Sequence, residues 1–181
     1  MSLLAIDAGN TRIKWGLHDG HEWFLRGAFA TADAGTPVAF SHLQPGQSIG
    51  HIIVSNVAGP EIANRIKDAL YPRGAPIAFI VSQAQQCGVT SRYQAPKQLG
   101  CDRWAALVAA YATSRSAPRA QLVVMAGTAL TVDALTAEGV FLGGLIVPGP
   151  QLMRHSLSRG TALLPAGEGD YQQRVYYESN A

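Results

Sequence analysis

The stretch Leu3-Leu4-Ala5-Ile6-Asp7-Ala8-Gly9-Asn10-Thr11-Arg12-Ile13-Lys14-Trp15-Gly16 decides how this chain is read. An apolar run ends on one carboxylate, Asp7, passes through a Gly-Asn-Thr turn and resumes as a second, alternating run. Period-two alternation around a short turn predicts a β-hairpin over 3–9 and 12–17. A turn of small residues lets a large anion approach backbone N–H groups, and a carboxylate beside it can orient a hydrated Mg²⁺. Arg12 and Lys14 are two residues apart, so both project to one side of the second strand. Taken alone, the same residues also suit an ordinary hairpin in which Asp and Asn serve as turn formers.

Outward from this hairpin the pattern continues. Glu22–Ala30 reads as a third strand and Ile49–Val57 as a buried one. A helix over 61–70 follows Pro60, with a strand over 77–81 after it. The segment 31–48, rich in Gly, Pro, Ser and Thr, offers at most one short helix. An Ala-rich helix is expected over 103–115. After Pro118 the opening pattern repeats: a strand over 121–125, the turn Gly127-Thr128-Ala129, a strand over 130–135, another over 139–147 and a helix near 151–159. The chain therefore reads as an α/β protein with an internal duplication, a first domain over 1–115 and the start of a second over 116–181. Two such units facing each other would make a cleft with one phosphate-binding turn on each wall.

Composition narrows the function. The 181 residues are 48% hydrophobic and 14% charged, enough for a sizeable core. The net charge is +2, without a basic run, which disfavours nucleic acid as a partner. No apolar stretch has the ~20 residues of a membrane span, and no signal peptide is read at the N-terminus. Cys87 and Cys101 are too few for a disulfide framework, and no Cys/His cluster has zinc spacing. A cytoplasmic enzyme is the expected class. A P-loop is not the expected phosphate site, because G-x-x-x-x-G-K-[ST] does not occur.

A second constellation lies between the two turns: Gln98-Leu99-Gly100-Cys101-Asp102-Arg103-Trp104. Asp102 and Arg103 stand where a glycine-bearing loop enters the Ala-rich helix. Asp102 can cap that helix, or act as general base on a substrate hydroxyl while Arg103 forks onto an anionic group. Tyr93 and Lys97, just upstream, are candidate pocket walls.

Together these segments resemble the type III pantothenate kinase family, including its accessory-factor-like members. The resemblance is carried by Ile6–Lys14, by Tyr93–Trp104, by Gly127-Thr128-Ala129 with Thr131 and Asp133, and by Phe141–Gly149. It continues through Leu152-Met153 and Gly160-Thr161-Ala162. It implies the acetate and sugar kinase/Hsp70/actin fold, with two ribonuclease H-like domains around a nucleotide cleft, the second incomplete here. It implies ATP-dependent phosphorylation of pantothenate to 4′-phosphopantothenate, the first step of coenzyme A synthesis. A homodimer, Mg²⁺ and a monovalent cation, K⁺ or NH₄⁺, are implied as well.

By motif, Asp7, Ala8, Gly9, Asn10, Thr11, Arg12, Ile13 and Lys14 would form the ATP phosphate loop, with Thr128 a further ATP contact and Asp7 holding Mg²⁺ through water. Tyr93, Gly100, Cys101, Asp102 and Arg103 would hold pantothenate, with Asp102 the proton acceptor and Arg103 paired to the substrate carboxylate. Two departures from the family pattern stand out. The family's cation-coordinating Asp is replaced by Met125, a thioether that suits a hard cation poorly. The family's remaining half-domain finds no counterpart in 171–181, so either a truncated chain or completion of the fold by another chain is expected. The alternatives are a nucleotide-binding accessory protein that keeps the fold without turnover, or another small-acid kinase of the superfamily.

Overall fold

The computed structural model describes residues 2–44 and 46–160. The expectations placed on Thr161, Ala162 and the segment 171–181 lie outside the described residues. Thirteen main elements follow in chain order: β1 (Ser2–Ala8), β2 (Arg12–His18), β3 (Trp23–Ala30), β4 (Ile49–Asn56), α1 (Pro60–Leu70), β5 (Ile77–Phe79), β6 (Gln85–Gln86), β7 (Val89–Ser91), α2 (Cys101–Thr113), β8 (Gln121–Ala126), β9 (Ala129–Leu135), β10 (Val140–Pro148) and α3 (Pro150–Gly160). They form two five-stranded sheets, in the orders β3-β2-β1-β4-β5 and β6-β7-β10-β9-β8.

In the first sheet, β1–β2–β3 is an antiparallel meander, β4 joins β1 in parallel, and helix α1 crosses over from β4 to the parallel β5. This order is that of a ribonuclease H-like half. Alternation sorts each strand: Leu4, Ile6 and Ala8 of β1 and Ile13, Trp15 and Leu17 of β2 are buried, while Asp7, Arg12 and Lys14 face the other way. The buried face packs with Ile52 and Val54 of β4 and with Ile66 and Leu70 of α1. Full burial of a Leu or Ile is worth about 1.5–3 kcal/mol, so Ile13→Ala here is expected to cost about 2–5 kcal/mol. Pro60 starts α1 at a position whose N–H would go unpaired anyway.

The second sheet repeats the meander as β8–β9–β10. Its core is separate: Val89, Leu99, Trp104, Leu107, Leu135 and Phe141, with the indole N–H of Trp104 donating to Gln86 Oε1 at 2.9 Å. The β6–β7 hairpin, not expected from sequence, extends this sheet by pairing β7 with β10. Sheet membership therefore changes between β5 and β6, whereas the division read from sequence falls at residue 115, just past α2. The difference arises because α2 touches β4 as well as β7, β8 and β9, so it belongs to the seam between the halves. Among the described residues β8 forms one edge of its sheet.

Candidate active site

The two turns of the duplication meet. Thr11 Oγ1 and Thr128 Oγ1 lie 2.9 Å apart, within hydrogen-bond distance, although 117 residues separate them in sequence. Each turn is closed by a glycine amide: Gly9 N–H donates to Arg12 O at 3.1 Å and Gly127 N–H to Ala129 O at 2.9 Å. The first is locked by Thr31, just past the end of β3, whose hydroxyl donates to Gly9 O at 2.7 Å and whose N–H donates to Thr11 O at 3.0 Å. The second is held by the entrance to α3, where Gly149 N–H donates to Thr128 O at 2.9 Å. A Cβ on Gly149 would run into the Gly127 and Thr128 carbonyls, so only glycine permits this approach.

Asp7 ends β1 on the face opposite the core, directly across from Lys14 in the β1–β2 register. Lys14 Nζ stands 3.9 Å from Asp7 Oδ2, and both side chains keep water contact. Partial burial pushes the Asp7 carboxyl above the usual carboxylate range, Lys14 draws it back down, and the charge of Asp102 pushes it up again. The two carboxylates are thus near enough to sense each other. Arg12 and Lys14 are exposed on one side of β2, as the alternation requires. Ala8 and Ile13 are completely buried, so within the expected phosphate loop they can offer only backbone atoms.

Asp102 sits in the first turn of α2. The N-cap is Gly100, without a side-chain capping bond, so Asp102 is not the N-cap itself. Its Oδ1 accepts the Arg103 N–H at 2.8 Å, one of the helix's first unpaired donors. Cys101 turns its thiol away to the end of β4, where Sγ accepts the Asn56 N–H at 3.2 Å and lies 3.4 Å from Ser55 Oγ. What Cys101 offers a ligand is backbone; its side chain ties α2 to β4.

Asp7, Lys14 and Asp102 line one cavity of about 370 Å³, together with Ser55, Trp23, Arg26 and Met125. Sequence reasoning missed Ser55, although Ser55 pairs with Asp7 in the parallel β1–β4 register. A lone hydroxyl near the carboxyl end of the strand read over Ile49–Val57 was the available signal. Arg26 and Trp23, on the edge strand β3, carried no motif and were not legible.

Tyr93 and Arg103 do not line this cavity; they form a second cluster with a residue whose role was not foreseen. Arg103 Nε donates to Asp133 Oδ2 at 3.0 Å, and Nη2 donates to Asp133 Oδ1. Asp133 is fully buried on β9. These bonds, aided by Tyr93, hold the Arg103 guanidinium above its usual range. Tyr93 in turn packs on Phe141, ring centroids 5.2 Å apart. The Arg103 fork expected to meet a substrate therefore has one edge occupied by the chain's own carboxylate.

Met125 lies opposite Thr131 across β8–β9 and lines the cavity. The Thr131 hydroxyl is buried and has no hydrogen-bond partner among the described residues. One orphan hydroxyl beside a thioether does not make a donor set for K⁺ or NH₄⁺, which prefer several oxygens. Asp7, a half-exposed carboxylate near the end of β1, does suit a hydrated Mg²⁺.

A family profile described as type III pantothenate kinase matches residues 3–179. Similar proteins include type III pantothenate kinases of Dechloromonas aromatica (44% identical, covering 93% of this chain and 69% of the relative) and Nitrosomonas eutropha (47%, covering 91% and 62%). A third, from Aromatoleum aromaticum, is 47% identical over 93% of this chain and 68% of its own. The chain thus spans about two thirds of the length of the curated relatives it matches. Among solved structures, a conserved Baf family protein from Campylobacter jejuni superposes with a TM-score of 0.53 at 20% identity, covering 87% of this chain and 60% of that one. Ethanolamine utilization protein EutJ from Carboxydothermus hydrogenoformans gives 0.50 at 12% identity, covering 88% and 57%. Both likenesses concern the fold.

Proposed function

The chain belongs to the type III pantothenate kinase family, and from that premise we propose that it transfers the γ-phosphoryl group of ATP to the primary hydroxyl of pantothenate. The observation that carries this reading is the Thr11–Thr128 contact, which brings the two turns together, the first of them following the strand whose Asp7 shares a cavity with Asp102.

Phosphoryl transfer needs positioning and charge neutralisation more than covalent chemistry from the protein. The amides of the two turns and the hydroxyls of Thr11 and Thr128 are suited to the phosphate oxygens, with Lys14 and Arg12 adding positive charge from β2. Bound Mg²⁺ would supply further neutralisation of the β- and γ-phosphates, and Asp7 is the side chain that would hold it through water. Asp102 accepts the proton of the pantothenate hydroxyl as that oxygen bonds to the γ-phosphorus. The bridging P–O bond to ADP breaks, and its electron pair stays with ADP. Gly100 and Cys101 present backbone to the substrate, and Tyr93 and Arg103 meet its carboxylate. Met125 and Thr131 do not form a site for a monovalent cation.

A homodimer accords with the apolar residues exposed on β10 and α3, among them Ile146, Leu152 and Leu157. A cytoplasmic location accords with free Cys87 and Cys101. Among the described residues no helix is long and apolar enough to cross a membrane. Met125 favours one other reading, a nucleotide-binding accessory role without turnover.

The test is ATP-dependent phosphorylation of radiolabelled pantothenate, with pantothenate binding measured alongside. Turnover that is lost in Asp102→Asn while binding persists is the expected result. ATP binding without any turnover by the unaltered chain would favour the accessory role.

A further inference from the structure

We propose that Asp133 is a positioning residue, fixing Arg103 so that the guanidinium edge Asp133 leaves over, beside Tyr93, receives the substrate carboxylate. This rests on the pantothenate reading of the site and deepens it. Arginine has two edges able to grip a carboxylate in bidentate fashion: Nε with Nη2, and Nη1 with Nη2. Asp133 takes the first, through both of its oxygens. The second edge is not used by Asp133, and Tyr93 is the other side chain that meets the guanidinium.

The surroundings are arranged for this pair. Asp133 lies between Thr131 and Leu135 on the buried side of β9, with no exposure of its own, while 12% of the Arg103 side chain remains open. Gly144 faces Asp133 across the β9–β10 register. A Cβ on Gly144 would collide with Asp133 Oδ1 and with Val132 O, and would stand 2.9 Å from Arg103 Nη2, so the glycine clears the space that the ion pair fills. Tyr93 is itself pinned against the fully buried Phe141. Arg103 follows Asp102 directly, so fixing the guanidinium also fixes where the substrate's acid end lies relative to the base.

A buried ion pair adds little net stability compared with apolar packing of the same volume. A structural role and a positioning role differ in one readout, the preference for a charged over an uncharged ligand. Calorimetric titration of the full chain with pantothenate and with pantothenol, in which an alcohol replaces the carboxylate, measures that preference. The unaltered chain is expected to favour pantothenate by about tenfold or more, as a charge-assisted bidentate pair would give. Asp133→Asn is expected to shrink the preference to within about threefold while pantothenol affinity holds, because a loosened fork no longer presents its second edge. Should Asp133→Asn fail to fold, Asp133→Glu keeps the charge but displaces the fork, and a reduced preference is again expected. Equal loss of both ligands, or an unchanged preference, overturns the positioning role alone. An unaltered chain that binds both equally overturns the carboxylate pairing and this inference with it; one that binds neither overturns the pantothenate reading as well.

Discussion

The first meander, β1–β3, and the second, β8–β10, are two copies of one design with different endings. Both deliver a strand to a glycine-closed turn, and the turns meet at Thr11 and Thr128. Yet β1 ends on Asp7 and β8 reaches the matching place with Met125. Their flanks differ too. β1 lies between β2 and β4, and Leu4 and Ala8 are fully buried; among the described residues β8 is an edge, and Leu122 and Val124 are 71% and 58% exposed. The glycine-closed turn is common to both halves, and the residue at the strand's end is where they differ.

The strongest way to break the comparison is to take the carboxylate from the first copy. Asp7→Asn is expected to lower kcat/KM by about 10²–10³, the scale of losing one preorganised electrostatic group. Its effect on stability should run the other way. Burial raises the Asp7 pKa in the folded state, so the stabilisation it lends is present below the unfolded value and lost as pH rises through the folded one. At neutral pH the ionised group therefore weighs against folding, and Asp7→Asn should raise Tm at pH 7 while leaving it little changed in acid. Thermal melts at two pH values check this.

The next test disturbs the second copy. Gly149→Ala pushes a methyl group into the carbonyls of Gly127 and Thr128 and should displace that turn. Overpacking of this kind costs about 1–3 kcal/mol, and ATP affinity should fall by roughly tenfold as the turns part. Asp7 and Lys14 lie in the other half, so the acid limb of the pH profile should stay where it is.

A smaller effect should make the copies alike. Met125→Asp places an oxygen donor beside the orphan Thr131 hydroxyl, and activity should become about threefold or more responsive to K⁺ over Na⁺, as a hard cation gains an oxygen site. The unaltered chain should respond weakly; an absolute K⁺ requirement in it would refute the role given to Met125. The smallest effect is expected from Lys14→Met. Lys14 lowers the Asp7 pKa, so its loss should move the acid limb of kcat/KM to higher pH, modestly because the pair is exposed.

Legibility followed the range of each signal. Both meanders could be read because alternation over six to nine residues is a local signal, and burial on one face enforces it. The β6–β7 hairpin could not: strands of two and three residues carry no period, and its turn is made by Cys87 and Gly88 at positive φ, where Asn-Gly would have been the recognisable pair. Asp7, Thr11, Thr128 and Asp102 stood out because each sits at an element's end beside a glycine. Their mutual placement is a tertiary fact, and so is the partner of Arg103. Asp133 lies 30 residues further on, inside a strand that reads as ordinary core.

The central claim is that both turns grip one nucleotide, and the most direct measurement is Mg-ATP affinity across the four chains of a Thr11→Val, Thr128→Val cycle. The account predicts that each substitution weakens ATP and that the pair departs from additivity by about 0.5–3 kcal/mol, since the two hydroxyls touch each other and the same phosphates. An affinity indifferent to Thr128→Val, or two losses that simply add, would contradict it.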